Sequence, residues 1–409
     1  MSNVPEGWAE TTLGELVAIK YGKDHKHLAD GDYPLYGSGG IMRHVEKPLY
    51  DKESILIPRK GTLSNLFYVN KAFWSVDTIF YTEINRQKAI PLFLFYKLKT
   101  IDLAGLNVGS AVPSLTTKVL NPLSLSIPPL PEQKAVADML SSLDDKIELL
   151  REQNKTLETL AQTIFKEWFC EFEFPQAHPS PDLSQRERGY KSSGGEMVES
   201  ELGLIPKGWR VGKLGEVTNI KGGGTPSTKN EAFWNGDIHW TSPKDLSNSK
   251  SVFLLDTEKK LTQDGLKKVS SGLLPKGTLL LSSRAPIGYV AISNVDIAVN
   301  QGYIALLNDA YVSNYYMLFW LRTHMRAVTN AANGSTFLEI SKSAFRNIDC
   351  VIPSEGVLKT FDEFVKLTLD KVLENIKQIQ TLSKTRDTLL PKLMSGHLRI
   401  DGRDGRYVS

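Results

Sequence analysis

Three residues have spacing that could do chemistry on a phosphodiester. Asp245, Glu258 and Lys260 follow Asp-x12-Glu-x-Lys, a pattern in which two carboxylates can hold Mg2+ beside a scissile phosphate. With 46 acidic and 49 basic residues in the chain, such triads also arise by chance, and this one has no counterpart elsewhere in the sequence. Other chemistries find less. There is no Gly-x-x-x-x-Gly-Lys-Ser/Thr loop for a nucleotide, and Gly222-Gly223-Gly224-Thr225-Pro226 lacks the lysine that would cradle phosphate, so it reads as a turn or a DNA-facing loop. An adenine methyltransferase needs Asn-Pro-Pro-aromatic; Asn121-Pro122-Leu123-Ser124 and Ile127-Pro128-Pro129-Leu130 do not fit. The seven histidines are scattered, and Cys170 and Cys350 are too few for a disulfide framework or a four-ligand zinc site.

The elements that would position any site follow from pattern. A chain of 409 residues predicts two to three domains at ~150 residues each. Hydrophobic content of 41% with 23% charged residues is globular, and no apolar run reaches the ~18 residues of a membrane span. The opening Met-Ser-Asn-Val-Pro-Glu lacks the features of a signal peptide, so a reducing, cytoplasmic location is expected. The net charge of +3 hides a distribution: two mildly basic blocks flank residues 131–175, which carry 5 basic and 10 acidic groups.

The chain repeats itself. Pro5-x-Gly7-Trp8, Leu13-Gly14-Glu15, Ile19-Lys20 and Gly22 recur as Pro206-x-Gly208-Trp209, Leu214-Gly215-Glu216, Ile220-Lys221 and Gly223, nine identities in 18 positions at an offset of 201. Farther on the offset becomes 223 and then 225, pairing Val76 with Val299 and Arg59 with Arg284. A net insertion of ~24 residues in the second half accounts for the change. Each half runs through a block rich in Gly, Pro, Ser and short β-type segments into one long periodic helix. The predicted boundaries are 1–130 for the first block, 131–171 for its helix, 172–205 for a linker, 206–355 for the second block, 356–395 for its helix and 396–409 for a tail.

Both helices read as heptads. The first places Leu140, Ile147, Asn154, Ala161 and Trp168 at a, and Val136, Leu143, Leu150, Leu157 and Ile164 at d. In the second, Val365, Val372, Ile379, Arg386 and Leu393 stand at a, with Phe361, Thr368, Asn375, Leu382 and Leu389 at d. A two-fold relation between halves predicts antiparallel pairing, in which a faces d. Pairing positions whose numbers total 529 sets Asn154 against Asn375 and Leu140 against Leu389. The same register sets Ile147 against Leu382, Leu150 against Ile379 and Leu157 against Val372, leaving Leu143 opposite Arg386 as its one poor match. A one-heptad slip would leave each buried Asn facing an apolar or small partner, so the Asn pair is expected to set the register. Helices of ~34 residues would span about 50 Å.

In this order, twice, these motifs resemble the specificity (S) subunit of type I restriction–modification enzymes over essentially the whole chain. The similarity is carried by Val4-Pro5-x-Gly7-Trp8 and Ser200-Glu201-Leu202-Gly203-x-Ile205-Pro206-x-Gly208-Trp209. Gly223-Gly224-Thr225-Pro226-Ser227, Asn300-Gln301-Gly302 and Ile127-Pro128-Pro129-Leu130-Pro131-Glu132-Gln133-Lys134 add to it. Half two departs by having Ile352-Pro353-Ser354-Glu355 with no Pro-Glu-Gln, which leaves the start of its helix open.

The resemblance implies an α+β chain: two pseudo-symmetric mixed α/β target recognition domains joined by a long antiparallel two-helix coiled coil. It implies a non-catalytic subunit that binds double-stranded DNA at a split, asymmetric site. Two methyltransferase subunits and motor-nuclease subunits would be its partners, with S-adenosylmethionine, ATP and Mg2+ carried by them and none by this chain. Lys and Arg near turns are the expected DNA contacts. The chosen residues, two hydroxyl side chains among them, are Lys20, Lys23, Arg43, Arg59 and Lys60 in the first domain, and Lys221, Thr225, Ser227, Lys229, Arg284 and Lys342 in the second, with the repeat-matched pairs Lys20/Lys221 and Arg59/Arg284 foremost. The competing readings are a stand-alone DNA-binding protein that dimerises through its helices, and a nuclease acting through Asp245, Glu258 and Lys260.

Overall fold

Each half begins on a turn that its residue types demand. Trp8 N–H donates to Pro5 O at 3.0 Å with Gly7 at φ +77°, and Trp209 N–H donates to Pro206 O at 3.0 Å with Gly208 at φ +88°. A positive φ at the third residue marks a type II turn, which calls for glycine. The Leu-Gly-Glu that follows opens one helical turn in each half, Leu13–Leu16 and Leu214–Val217. Glu15 accepts the Thr12 backbone N–H at 2.9 Å and Glu216 accepts that of Lys213 at 2.8 Å, while Leu13 and Leu214 are buried. The sequence repeat is thus a repeat of backbone hydrogen bonding.

The computed structural model describes residues 4–109, 111–175, 189–247, 251–284, 286–334 and 338–400, and the backbone of 407–408. Contacts group the chain into two units, residues 1–149 with 378–409, and residues 150–377. Each unit joins one β-rich block to parts of both long helices. Much of the expected linker, residues 176–188, lies outside the described residues.

In the first unit the strands are β1 (Ala9–Thr12), β2 (Val17–Tyr21), β3 (Tyr33–Gly37), β4 (Gly40–Val45), β5 (Ser54–Pro58), β6 (Phe67–Val69), β7 (Trp74–Ser75), β8 (Ile79–Ile84) and β9 (Ser124–Ile127). They form a sheet ordered β2-β8-β5-β6, a second ordered β4-β3-β7, and the pair β1-β9. The second unit holds β10 (Met197–Val198), β11 (Ile205–Pro206), β12 (Arg210–Lys213), β13 (Asn219–Lys221), β14 (Trp234–Thr241), β15 (Phe253–Leu254), β16 (Lys259–Leu261), β17 (Leu279–Ser282), β18 (Val290–Ser293), β19 (Ile297–Val299), β20 (Tyr303–Leu307) and β21 (Asp349–Ile352). Its sheets run β13-β20-β17-β18-β15 and β16-β14-β19, and β12 pairs with β21.

The two units correspond closely. In each, the three-stranded sheet has an antiparallel and a parallel neighbour on its central strand, with Leu35 paired to Trp74 and His239 to Ile297. In each, the opening strand pairs antiparallel with the strand that feeds the long helix, Ala9 with Ile127 and Arg210 with Ile352. Chain entry and exit therefore lie side by side. Gly22 and Gly223 explain another shared position: a Cβ there would come within 2.1 Å of Val76 O and 1.7 Å of Val299 O, so only glycine lets the loop after β2 or β13 pass.

The long helices are Leu130–Phe169 and Glu355–Met394, 40 residues each, which is about 60 Å at 1.5 Å per residue. Pro-Glu-Gln has a mechanical role at the first start. Gln133 is buried; its amide donates to Pro128 O (2.8 Å) and Lys88 O (3.2 Å), and its oxygen accepts from Ile90 N–H (2.8 Å). The second helix starts without this latch, with Leu358 buried at the repeat-equivalent position.

Within the second unit the helices run antiparallel. Asn375 Nδ2 donates to Asn154 Oδ1 at 2.9 Å, and the Trp168 and Phe361 rings lie 5.9 Å apart. Val372 is fully buried there and Leu157 partly so. In the first unit Leu140 shares a core with Leu389 and Leu393, and Ile147 is buried. Leu150 is buried, Ile379 and Leu382 half-buried. Two details go beyond strict heptads. At the expected poor match the Arg386 guanidinium pairs with Asp144, the neighbour of Leu143, at 2.6 Å. Toward the end of the first helix the buried spacing becomes four, Ala161–Phe165–Phe169, with Ile164 and Trp168 only partly buried. The reason is a second neighbour: Phe165 and Phe169 also face Tyr316, at 5.3 and 4.9 Å, so this turn serves the domain as well as the other helix.

Candidate nucleic-acid interface

The triad does not assemble into a metal centre. Asp245 accepts Ser242 N–H at 2.8 Å and the Thr241 hydroxyl at 3.2 Å, with Glu258 N–H at 3.4 Å from its other oxygen, so its carboxylate caps the short helix Pro243–Ser247. Glu258 pairs with Lys244 at 3.4 Å, and Lys260 with Asp256 at 3.4 Å. Burial opposes ionisation of Asp256, yet Thr257 N–H and the Lys260 ammonium together hold its carboxyl below the ordinary value. No group of three His, Cys, Asp or Glu side chains able to hold a metal ion occurs among the described residues.

The basic candidates gather at the loops that Gly22 and Gly223 allow. In the first unit Lys20 on β2 stands 3.5 Å from Glu83, and Arg59, directly after β5, lies over the exposed Tyr21 ring at 5.3 Å while donating to Asp77 O at 3.1 Å. Lys23 follows in the same loop, tied down where the Trp74 indole donates to Lys23 O at 3.1 Å. Among the described residues neither Lys23 nor Lys60 has an acidic partner, and both are exposed. Arg43 is different. Its guanidinium donates to Asp30 (2.7 Å), Leu28 O (2.9 Å) and His25 O (3.0 Å), which turns its donors inward to hold a loop.

In the second unit the loop after β13 is braced from four sides. The Trp240 indole donates to Gly224 O and the Trp234 indole to Ser227 O, both at 3.1 Å. Thr225 donates to Gln301 at 2.6 Å, and the Ser270 hydroxyl to Gly223 O at 3.0 Å. Lys342 reaches the same loop: a Cβ on Gly222 would come within 2.7 Å of its ammonium. Lys221, Ser227 and Lys229 are exposed around it. Arg284 is half-exposed and 3.6 Å from Glu339, so unlike Arg59 it carries a neutralising acid.

Two aromatic residues of these surfaces escape reading by charge alone. Tyr21 is 51% exposed beside Arg59, and Trp234 has the Lys259 ammonium 5.5 Å from its ring. A signal for Tyr21 exists in the repeat, since it stands directly before Gly22 where the second half has Gly222.

Among the described residues no helix is long and apolar enough to cross a membrane. Comparison with known proteins agrees with the two-fold architecture. The type I restriction modification DNA specificity domain matches residues 5–159 and again 206–379. The chain is 38% identical over 192 residues to the type I restriction enzyme MjaIX specificity subunit of Methanocaldococcus jannaschii, an alignment spanning 44% of each protein, so less than half of that relative's length is matched. It is 26% identical over 365 residues to the HindI specificity subunit of Haemophilus influenzae, covering 77% of this chain and 79% of that one. The fold is similar to that of the type I restriction–modification S subunit from M. genitalium, with a TM-score of 0.64 at 17% identity over 96% of this chain and 97% of the other. With the family pattern covering both halves and the same frame built twice in the structure, the chain belongs to the type I restriction–modification DNA specificity family.

Proposed function

We propose that this chain reads a bipartite, asymmetric DNA site through its two recognition blocks and scaffolds methyltransferase and restriction subunits that perform the chemistry. S-adenosylmethionine, ATP and Mg2+ belong to those partners in this reading. One observation carries it: two units with matched strand frames present different exposed chemistry at the same loop. The first offers Tyr21 with Arg59, Lys20 and Lys23; the second offers a braced glycine loop with Lys221, Lys229 and Lys342. Matched frames with unmatched surfaces fit two half-sites of different sequence, and the positive groups fit phosphates and guanine edges. The first long helix, with its acidic flank, and the second supply the surface for partner subunits.

Replacing residues 206–355 by the corresponding block of a relative, followed by mapping of methylated bases in cells carrying the partner subunits, tests this. One half of the modified motif should change and the other persist. A change in both halves, or in neither, overturns modular reading. Arg59→Ala should weaken specific binding by about 1–3 kcal/mol if it reads a base, whereas a phosphate contact would weaken all sequences alike.

A further inference from the structure

β14 is interrupted at its start. Trp234 and Ile238 both pair with Leu261, so Asn235, Gly236 and Asp237 bulge out between them. The bulge is built into the packing: a Cβ on Gly236 would come within 2.3 Å of Leu261 O. Asn235 takes φ +61°, one of two non-glycine residues in the left-handed region among those described. It is exposed, and its amide has no hydrogen-bond partner among the described residues. Bulges of this kind re-aim side chains beside functional sites.

Around it lies a pocket of about 160 Å3 lined by Thr228, Trp234, Asn235, Glu258, Lys259 and Lys260. Trp234 is fixed by its bond to Ser227 O and by an edge-on contact with Trp240 at 5.1 Å, so it ties the bulge to the braced loop. Glu258 and Lys260 are paired elsewhere, with Lys244 and Asp256. Lys259 and Lys229 have no acidic partner among the described residues. Asp237 is the exposed acid of the bulge. A rim that carries the Lys259 ammonium beside the Trp234 ring and an exposed amide, with Lys229 in the adjoining braced loop, suits a base edge flanked by phosphates.

We propose that Asn235 is a specificity-determining residue whose amide reads an adenine edge, donating to N7 and accepting from N6, while Lys259 and Lys229 take neighbouring phosphates. This rests on the DNA-reading function proposed above. Asparagine paired with adenine in this way discriminates by about tenfold to a hundredfold.

The test uses the complex of this chain with its methyltransferase subunits and maps modified bases. Asn235→Gly keeps a residue that accepts the left-handed backbone yet removes the amide, and Asn235→Asp keeps the backbone preference while leaving only an acceptor. The glycine variant should become degenerate at one position of one half-motif. The aspartate variant should move that position from adenine toward cytosine, whose N4 donates. Lys259→Ala should lower binding to all sequences alike. An unchanged motif in either soluble Asn235 variant overturns the proposal, with thermal unfolding showing that the variant folds. If the wild-type complex itself yields no sequence-specific motif, the DNA-reading function fails instead.

Discussion

The helix segments of the two units are held by different chemistry within the same frame. In the first unit an aliphatic core around Leu140 and Leu393 is tied down at its edges by polar contacts. Arg386 bridges to Asp144, which also accepts the Tyr96 hydroxyl at 2.6 Å; Arg399 grips Glu132 at 2.8 and 3.0 Å; Lys97 donates to Met394 O at 2.5 Å. Burial pushes the Tyr96 hydroxyl pKa upward, and the hydrogen bond to Asp144 adds to it, so this tyrosine stays a donor. In the second unit the contacts are aromatic. Phe165, Phe169, Tyr316, Phe319 and Phe361 interlock at centroid distances of 4.9–6.5 Å, and the first helix also carries the buried Asn154–Asn375 pair. The difference teaches that duplication preserves backbone register strictly and side-chain adhesion loosely. Any set of contacts that holds the helix at the domain will do.

The comparison can be broken most forcefully at Phe361, which is fully buried among those rings. Phe361→Ala should lower the stability of the second unit by about 3–5 kcal/mol in urea unfolding, with little salt dependence. A loss below about 1 kcal/mol would mean the aromatic cluster is not what holds that unit's helices.

Next comes the Asn pair. Asn375→Leu strands the buried Asn154 Oδ1 and should be destabilising by about 1–3 kcal/mol, whereas the double change to leucine should recover most of that loss or exceed it. The register should suffer in exchange. Leu157→Cys with Val372→Cys, in a Cys170→Ser/Cys350→Ser background, should crosslink efficiently in the Asn-paired protein and less uniquely in the double-leucine protein. Efficient crosslinking of position 157 to 365 or 379 instead would refute the register.

Smaller still is the Arg386–Asp144 bridge, whose side chains are 23% and 31% exposed. A double-mutant cycle to alanine should give a coupling of about 1 kcal/mol that shrinks in high salt. Coupling indifferent to salt would erase the polar-versus-aromatic distinction.

The smallest effect concerns pH. Burial raises the pKa of Asp362 above its ordinary 3.8, outweighing the opposing hydrogen bond from Ser313. Its folded form holds the proton more tightly than its unfolded form. Its stabilising contribution is therefore fully present below the ordinary value and is lost as pH rises through the folded one. Asp362→Asn should flatten that decline; an unchanged stability–pH curve would show that the carboxyl is effectively solvated.

Much of this was legible from residue order because the repeat reports backbone demands. A glycine forced by a positive φ, as at Gly7 and Gly208, or by a carbonyl 2.1 Å from an imagined Cβ, as at Gly22, leaves the same letter in both halves. Heptads were legible for the same reason, since a helix buries one stripe whatever it packs against. Surface chemistry was less so. Arg43 and Arg59 look alike as letters, yet one is clasped by two carbonyls and Asp30 and the other lies over an exposed ring.

Local pattern by itself determined the duplication, the two long helices and the Asn154–Asn375 level, because each depends on periods and offsets along one chain. Only the tertiary structure decided that Phe165 and Phe169 serve two neighbours and that Asn235 stands free on a bulge. Those outcomes depend on which distant groups arrive within about 3–6 Å of a side chain, hydrogen-bond and ring-packing distances. Such proximities are set by the packing of β14 against β16 and of helix against domain, and they leave no period in the sequence.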